Sequence, residues 1–329
     1  MADTGKFVIS LDFELQWGVF DKETLDSYKT NILGVREALP KTLEVFDKYA
    51  IKATFATVGF LFAKDKKELI HFIPEEKPKY SDSNLSPYNK QLGLVKESEQ
   101  EDPYHFAASL IDLIKKYPDQ ELATHTFSHY YCLEEGQKVA DFRRDTQAAI
   151  AIAQKDGVSI KSLVFPKNQF NEEYLQVCKE LGISSYRGNE KSWIYSAKNE
   201  EEQTLLKRAF RLLDTYFAIS GHNCATMKEV GLSYPYNIPS SRFLRPFSSK
   251  LGFLEAVRLR RICKSMTHAA KTGTIFHLWW HPHNFGANQE ANFEFLIKIL
   301  DHYKKLNQNY GFESVTMATI ADQIQQANG

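Results

Sequence analysis

The chain alternates between short apolar runs, which predict buried strands, and amphipathic segments with apolar residues every three or four positions, which predict helices. The helix predicted at 31–49 carries Val35, Leu39, Leu43 and Phe46 on one stripe, and Pro40 is expected to kink or split it. Strand, helix and strand at this spacing predict a parallel sheet. The predicted strands are 6–11, 53–58, 121–123, 163–165, 183–186, 274–280 and 313–317. The other predicted helices are 104–117, 137–155, 171–181, 200–210, 253–269, 291–305 and 318–327.

Two stretches interrupt this alternation. Residues 74–103 are polar and without a period, which is compatible with a loop over the active-site mouth or with a plain mobile insertion. Residues 190–271 are less regular and contain a loop rich in Pro, Ser and Tyr at 233–248. We interpret this second stretch as an insertion packed on the main fold. The length of 329 residues suits one large α/β barrel or two domains, and we expect a single domain over 1–329.

Composition narrows the class of protein. The hydrophobic share of 43% is enough to bury a sizeable core, and the formal charge of zero gives no electrostatic case for nucleic acid or an anionic membrane. The 4 cysteines are scattered without a Cys-x-x-Cys pair, which is typical of reduced thiols in the cytosol. No signal peptide precedes the first predicted strand, and no apolar run approaches the roughly 18–20 residues that span a bilayer. We therefore expect a cytoplasmic protein without a transmembrane segment; a lipid-carried substrate remains compatible with this.

The candidate chemistry centres on His125 and His129, which follow the strand predicted at 121–123. If the chain is helical there, side chains four positions apart lie on one face with their Cβ atoms about 5–6 Å apart, and two imidazoles can bind one cation. Imidazole suits zinc and its first-row neighbours. Asp12 and Glu14 close the first strand, at the sheet edge where active sites of parallel α/β folds lie. One carboxylate can complete a metal site and the other can stay free as a base.

These motifs resemble those of the polysaccharide deacetylase family, also called NodB-like or carbohydrate esterase family 4. The histidine motif, His-Thr-Phe-Ser-His at 125–129, matches the family's His-Ser/Thr-x-x-His in full. The first motif differs, because Ser-Leu-Asp-Phe-Glu at 10–14 stands where the family has Thr-Phe-Asp-Asp. The resemblance runs loosely from about residue 7 to about residue 321. It implies an irregular (β/α)7-type barrel of parallel strands with insertions.

The resemblance also implies an activity: metal-dependent carbohydrate N-deacetylation, in which a metal-activated water hydrolyses an N-acetyl group. His125, His129 and Glu14 would be metal ligands and Asp12 the base, although the altered motif leaves the reverse order of the two acids open. Zinc is the expected metal, with Co²⁺, Mn²⁺ or Ni²⁺ as alternatives. The expected substrate is an N-acetylated sugar or a lipid- or nucleotide-linked glycan.

The remaining family motifs are matched less closely. The late Leu-x-His motif has one extra residue here, so that His281 is the candidate general acid and His283 the runner-up, while His277 is expected to be a core histidine. The segment 165–169 lacks the arginine that orients the base. Lys167 could hold Asp12 without a two-point contact, and Arg187 is its rival.

Further side chains are expected at the substrate or in the core. Trp193 is a weak counterpart of the Trp in the family's Asp-x-x-Trp motif. Cys132 is interpreted as a buried free thiol rather than a further zinc ligand. The residues expected to contact substrate are Trp17, Trp193, His283 and Asn284.

Two other functions stay open. A glycoside hydrolase on a similar barrel would use Asp12 or Glu14 as nucleophile, need no metal, and place a second carboxylate about 5–9.5 Å away. A non-catalytic sugar-binding relative would keep the fold and lose the chemistry, and the altered first and third motifs are compatible with that.

Overall fold

The computed structural model describes residues 4–195 and 205–328. The strands are β1 (Lys6–Phe13), β2 (Ala53–Thr57), β3 (Glu121–Thr124), β4 (Ser162–Leu163), β5 (Ser185–Gly188), β6 (Tyr236–Pro239), β7 (Arg242–Phe243), β8 (Ile275–Trp280) and β9 (Glu313–Ser314). The helices are α1 (Leu25–Tyr49), α2 (Lys66–Phe72), α3 (Lys90–Leu94), α4 (Ala108–Ile114), α5 (Val139–Lys155), α6 (Glu172–Glu180), α7 (Leu205–Tyr216), α8 (Met227–Val230), α9 (Glu255–Thr272), α10 (Gln289–Tyr310) and α11 (Met317–Asn328).

The strands form one parallel sheet that curls on itself. Its order is β6-β5-β4-β3-β2-β1-β8-β7, and β9 also pairs with β1. The two ends of this path, β6 and β7, are separated in sequence only by Ser240 and Ser241, whose backbone N–H groups donate to Gly188 on β5 and His277 on β8. If β6 and β7 are counted as one, the path has seven parallel members. The predicted irregular (β/α)7-type barrel is confirmed.

Strand β1 runs through the centre of the molecule, and its two faces have different surroundings. Phe7, Ile9 and Leu11 pack in the large apolar cluster that also holds the inner faces of α1 and α10. Successive side chains of a strand point to opposite faces, so Ser10 and Asp12 share the other face. Both are buried, as is Glu14 directly after the strand. The acids therefore lie at the carboxyl end of the central strand.

Helix α1 begins at Leu25, where the side chain of Thr24 accepts from the N–H of Ser27. It continues through Pro40 to Tyr49, so the expected split at Pro40 is wrong. A proline inside a helix costs about 3 kcal/mol. The apolar stripe of α1 is buried in the main core, and we attribute the continuity of the helix to this packing.

The segment 233–248 was predicted to be a loop, and this is wrong because it contains β6 and β7. Within residues 4–195 and 205–328, strand β6 pairs only with β5, so Pro239 lies at the end of a strand that has one paired edge. Proline is tolerated at such positions because no ladder hydrogen bond is required of it. The part of the predicted helix 200–210 before residue 205 lies outside the described residues, and the division into one domain with two insertions stays a prediction. None of the described helices is both long and apolar enough to cross a membrane.

Candidate metal centre and active site

Three side chains that the sequence singled out meet at the carboxyl edge of the sheet. Glu14 Oε2 lies 3.3 Å from His125 Nε2 and 3.2 Å from His129 Nε2. The two imidazole rings are 5.0 Å apart, and all three residues are buried. Their ligand atoms fall within 4.8 Å of one another, so the group can hold one metal ion.

The chain between the two histidines is not helical, contrary to expectation. Thr126 and His129 adopt left-handed backbone angles, with φ values of 65° and 59°. The carboxylate of Asp145, on α5, accepts from the backbone N–H groups of Phe127 and Ser128, at 2.7 Å and 3.2 Å, and from the Ser128 hydroxyl. These side-chain acceptors take the place of a helical ladder. The imidazoles therefore converge through a braced loop rather than through one face of a helix.

The second nitrogen of each histidine is also held. His125 Nδ1 lies 2.8 Å from the carbonyl oxygen of Val164, which can only accept, so this nitrogen carries the proton and Nε2 faces Glu14. His129 Nδ1 lies 3.2 Å from the hydroxyl of Tyr131. Metal-binding histidines are typically oriented in this way through their outer nitrogen.

The donor set fits a zinc-type cation. Two ligand atoms on a tetrahedral ion with bonds of about 2.0–2.1 Å are about 3.3 Å apart. The distances from Glu14 to the two histidines, 3.3 Å and 3.2 Å, agree with this value. The Nδ1 atom of His283 is buried, has no hydrogen-bond partner among the described residues and lies 3.9 Å from the other carboxylate oxygen of Glu14, Oε1.

A short 3-10 turn at Leu15–Gly18 places the Glu14 carboxylate. A Cβ atom on Gly18 would lie 1.9 Å from the carboxyl carbon of Glu14, so glycine leaves the room that this side chain occupies. Burial opposes ionisation of Glu14, but the charge of His281 and the hydrogen bonds of His125 and His129 outweigh it. The pKa of Glu14 is consequently held well below its usual range.

Asp12 is held by Arg187 through two parallel contacts. Nη1 donates to Oδ1 at 2.6 Å and Nη2 donates to Oδ2 at 2.7 Å. The same guanidinium donates to Ser10 Oγ at 3.1 Å and to Asn168 Oδ1 at 3.0 Å. Burial raises the pKa of Asp12, but the charge of Arg187 outweighs burial and leaves the pKa below its ordinary value. This carboxylate is therefore ionised at neutral pH and has a fixed orientation.

Lys167, the rival of Arg187, pairs with a different acid. Its ammonium lies 2.8 Å from Asp21 Oδ2 and 4.0 Å from the centre of the Tyr131 ring. Between the two candidates, Arg187 is therefore the one that contacts the Asp12 carboxylate.

Two histidines after β8 complete the site. His281 Nε2 lies 3.7 Å from Asp12 Oδ2 and 3.6 Å from Glu14 Oε1, and its side chain is 24% exposed. His283 is buried and stacks on His281 with ring centres 4.9 Å apart. Burial, followed by the charge of His281, lowers the pKa of His283 to about 3. His281 is thus the accessible member of the pair, whereas His283 is buried and neutral at neutral pH.

The other expected residues are distributed between the site and the core. Trp17 is fully buried, packs against Phe60 and donates its indole N–H to the carbonyl of His105, so the structure places it in the core and not at the site. Trp193 is 63% exposed and packs on Phe210. Asn284 lies at the site, with Nδ2 3.4 Å from His281 Nδ1.

Two of the non-catalytic expectations are confirmed. His277 is a buried core histidine, with Nε2 2.8 Å from Ser10 Oγ and Nδ1 3.2 Å from the carbonyl of Ile238. Cys132 is a buried free thiol, and burial raises its pKa well above the ordinary value.

Sequence reasoning missed several residues that support the site. Ser10 could have been identified from the sequence, because it lies two positions before Asp12 on β1 and therefore on the same face of the strand. Asn168, Tyr131 and Asp145 carry no such signal, because each reaches the site from a different element. Their roles depend on loop geometry that no local pattern encodes.

Comparison with known proteins is consistent with this arrangement. The sequence matches the family model "Polysaccharide deacetylase" over residues 19–186, a span that includes both histidines and begins after Glu14. No curated protein sequence matches the chain.

Several solved structures share the fold. A protein from Mycobacterium smegmatis, described as a polysaccharide deacetylase, matches with a TM-score of 0.60 and 12% identity, covering 99% of this chain and 92% of that chain. Another from Pseudomonas aeruginosa PAO1, with the same description, has a TM-score of 0.56 and 10% identity, covering 98% and 90%. The 4-alpha-glucanotransferase of Thermococcus litoralis has a TM-score of 0.54 and 10% identity, covering 97% and 40%. At these identities the likeness concerns the fold alone.

Proposed function

The chain belongs to the polysaccharide deacetylase family, and we propose that it is a metal-dependent carbohydrate N-deacetylase that hydrolyses the N-acetyl group of an aminosugar. The observation that carries the proposal is the buried group of Glu14, His125 and His129, with the ionised Asp12 beside it. Two imidazoles and one carboxylate are a donor set typical of catalytic zinc sites, which keep a position open for water.

Glu14, His125 and His129 would hold the divalent ion, zinc in the first place and Co²⁺, Mn²⁺ or Ni²⁺ as alternatives. Bound there, it would lower the pKa of a water molecule and polarise the amide carbonyl. The contacts of the outer nitrogens with Val164 and Tyr131 keep both imidazoles oriented toward Glu14. We assign Glu14 as the ligand because its carboxylate, and not that of Asp12, faces both histidines.

Asp12 is the general base of the proposal. Arg187 keeps it ionised and fixes both oxygens, while Ser10 and Asn168 hold Arg187 in turn. Each carboxylate oxygen retains a lone pair that can accept the proton of the attacking water. Arg187 acts through Asp12 and is a positioning residue.

His281 is the general acid of the proposal. Its Nε2 atom faces Asp12 Oδ2 at 3.7 Å, and its partly exposed side chain is open to an incoming sugar. Cleavage of the amide gives acetate and an amine, and the amine leaves readily only after it gains a proton. His281 supplies that proton, while His283 and Asn284 form the adjoining wall of the site.

The substrate of the proposal is an N-acetylated sugar, either as part of a glycan or as a lipid- or nucleotide-linked precursor. All 4 cysteines are free in the structure, which supports a reducing compartment and a cytoplasmic location.

Acetate release from N-acetylated chitooligosaccharides, with and without a chelator, tests the proposal. We expect release that a chelator abolishes and that His129→Ala lowers by at least 100-fold, while the exposed His71→Ala stays at the wild-type rate. Cleavage of the glycosidic bond without acetate release would instead indicate a glycoside hydrolase. Tight sugar binding without either product would indicate a binding protein.

A further inference from the structure

Helix α7 is amphipathic, but its apolar side faces solvent. Leu206, Phe210, Leu213 and Phe217 follow one another at intervals of four, three and four positions, which places their side chains on one face of a helix. The backbone N–H of Phe217 donates to the carbonyl of Leu213, so this face extends just beyond the end of α7. Leu206, Leu213 and Phe217 are 64%, 47% and 55% exposed. The apolar stripe of a surface helix normally packs on the core, so this helix has the reverse orientation.

The polar face of α7 is turned toward the active site. Arg208, Arg211 and Thr215 line a cavity of about 360 Å³, which Trp279 also lines. The ring of Trp279 lies 5.6 Å from that of His281, so the cavity adjoins the proposed general acid. A rotation of α7 that buried its apolar face would replace this polar wall with leucine and phenylalanine. The exposure of the apolar face therefore accompanies the use of the polar face as a wall of the cavity.

Asp214 fixes this orientation of the helix. It is fully buried, and its carboxylate pairs with Arg242 on β7 at 2.5 Å and with Arg261 on α9 at 2.9 Å. The backbone N–H of Ser220 also donates to this carboxylate, at 2.7 Å. Separating the partners of a buried ion pair is strongly destabilising, so α7 is not free to turn about its axis.

The neighbouring elements add further exposed apolar side chains. Phe253, in the turn before α9, is 78% exposed, and Val257 in the first turn of α9 is exposed as well. Arg261, one turn after Val257, joins α9 to α7 through Asp214. Exposed apolar groups gathered on adjacent elements mark interaction sites. We call the following residues the apolar surface: Leu206, Phe210, Leu213, Phe217, Phe253 and Val257.

The charges beside the apolar surface favour an anionic partner. Although the whole chain has no net formal charge, Lys250, Arg260 and Lys264 in the turn before α9 and in α9 are exposed and form no ion pair with a described residue. The acids of α7, of this turn and of α9 are Asp214 and Glu255, and each pairs with an arginine. A symmetric dimer through this surface would bring like charges together, whereas anionic lipid headgroups would attract them.

We propose that the apolar surface docks on a lipid bilayer that contains anionic lipids, with α7 lying in the plane of the headgroups. Helices that bind in this way carry leucine and aromatic side chains on the buried face and basic residues around it. Trp193, which packs edge-on against Phe210 with ring centres 6.0 Å apart, adds an aromatic group of the kind that is enriched at membrane interfaces. Such docking requires no helix that spans the membrane.

Docking in this orientation has a consequence for the substrate. The cavity lies on the other side of α7, so it would open within about one helix diameter, about 10–12 Å, of the lipid surface. The substrate class that fits this position is an N-acetylated sugar carried by a lipid in the same bilayer. This consequence rests on the proposed deacetylase activity, whereas the docking does not.

Docking is tested by flotation of the whole chain with vesicles of phosphatidylcholine alone and of phosphatidylcholine mixed with phosphatidylglycerol. We expect the wild type to bind the mixed vesicles, and a variant carrying Leu213→Ser and Phe217→Ser to bind them at least tenfold more weakly. The control carries Ile70→Ser and Leu94→Ser, whose side chains on α2 and α3 are 52% and 65% exposed. Both variants should keep the wild-type melting temperature. Absence of binding by the wild type, or equal binding by the two variants, would overturn the proposal.

Two further measurements test the choice of partner. A variant carrying Lys250→Gln and Arg260→Gln is expected to bind mixed vesicles at least threefold more weakly, while the exposed pair Lys67→Gln and Lys90→Gln leaves binding unchanged. Equal binding by these two variants would overturn the role of anionic lipid. Sedimentation velocity without vesicles should show a monomer. A dimer that Leu213→Ser with Phe217→Ser dissociates would assign the apolar surface to a second copy of the chain and overturn the proposal.

The consequence for the substrate is tested by acetate release from octadecyl N-acetylglucosaminide in mixed vesicles and from methyl N-acetylglucosaminide in solution. We expect at least tenfold higher kcat/KM on the vesicles, lost in Leu213→Ser with Phe217→Ser, and equal rates of both proteins on the methyl glycoside. Equal kcat/KM on the two substrates would overturn the lipid-carried substrate and leave the deacetylase standing. Vesicle binding that depends on Leu213 and Phe217, without acetate release from either sugar, would overturn the deacetylase and leave the docking surface.

Discussion

Asp12 and Glu14 stand two positions apart, and their partners differ in charge and in geometry. Glu14 faces two imidazoles whose outer nitrogens are occupied, whereas Asp12 faces a guanidinium that engages both of its oxygens. From the sequence, either acid could be the ligand. The distinction depends on Arg187, which is 175 positions from Asp12, and on a loop whose conformation local pattern does not reveal.

We predict that Gly18→Ala weakens metal binding without unfolding the protein. The added Cβ would occupy the space of the Glu14 carboxylate, so this ligand must move away from the histidines. Displacing such support typically costs 10- to 100-fold in metal affinity. Zinc titration by calorimetry checks this, with Gly93→Ala as control because a Cβ there meets nothing within 4 Å. Equal zinc affinity in both variants would contradict the prediction.

We predict that Arg187→Lys lowers kcat by about 10²-fold and moves the acidic limb of the pH–rate profile upward. Lysine cannot make the two-point contact that now holds the pKa of Asp12 below its ordinary value. As that pKa rises, a larger share of the base is protonated at a given pH, so activity at low pH is lost first. The exposed Arg143→Lys serves as control, and an unshifted acidic limb would count against Arg187 as the positioning residue.

Much of the site was predictable at this scale because its residues follow strands whose carboxyl ends share one edge. The histidine pair and both acids were named on that basis, whereas Arg187 and His281 were named from the family resemblance together with their positions at strand ends. Trp17 was misplaced, since the sequence does not show that the turn at Leu15–Gly18 carries the indole inward to Phe60.

At the scale of elements, the loop after β3 depends on α5 for its shape. Asp145 is the only described side chain that accepts from both Phe127 and Ser128 backbone N–H groups. Burial raises the pKa of Asp145 to about 7, although these hydrogen bonds oppose the shift. The conformation of the loop after β3 is therefore linked to the protonation of the Asp145 side chain.

This linkage predicts a pH dependence of stability. Because the folded pKa of Asp145 lies above the unfolded value of about 3.9, the folded chain keeps a proton that the unfolded chain releases. The stability that Asp145 contributes thus falls as pH rises from about 4 to about 7, by at most about 1.4 kcal/mol per pH unit.

Urea unfolding of wild type and Asp145→Asn between pH 5 and pH 8 isolates this contribution, because asparagine does not titrate. We expect the difference in free energy of unfolding to decline up to about pH 7 and then stay level. Asp112→Asn, on the exposed face of α4, should show no such trend. A difference that is constant with pH would refute the linkage.

Some strands and helices were predicted more accurately than others, and the differences have physical reasons. Strands β1, β2 and β8 are buried along nearly their whole length, and each was predicted within two residues of its observed bounds. The long helices were predicted less precisely, because α1 begins six residues before the predicted 31–49 and α10 ends five residues after the predicted 291–305. The strands β6 and β7 are short and rich in polar residues, so the sequence pattern does not reveal them. Helix α1 continues through Pro40, and packing of its apolar face against the core outweighs the local preference.

At the scale of the whole molecule, barrel curvature brings the start, the middle and the end of the chain to one point. The proposed ligands come from residues 14, 125 and 129, and the proposed acid comes from residue 281. Alternating strands and helices predict parallel topology and the edge that carries the site. They do not predict the side chains that support the site from other elements, such as Asn168, Tyr131 and Asp145.

We predict that metal stabilises the folded chain, because its ligands come together only after the barrel has formed. Saturation at 100 times the dissociation constant contributes about 2.7 kcal/mol. Differential scanning calorimetry should show a rise in Tm of several degrees with zinc for wild type and for His71→Ala, and none for a variant carrying both His125→Ala and His129→Ala. An equal rise in all three proteins would place the stabilising ion elsewhere.

The most direct measurement is acetate release from an N-acetylated chitooligosaccharide by metal-free protein to which zinc is added stepwise. The rate is expected to start near zero, rise in proportion to zinc and level off at about one equivalent per chain. Glu14→Gln should stay near zero throughout. Acetate release that is independent of zinc, or a wild-type response in Glu14→Gln, would contradict the proposal that Glu14 and the two histidines hold the catalytic ion.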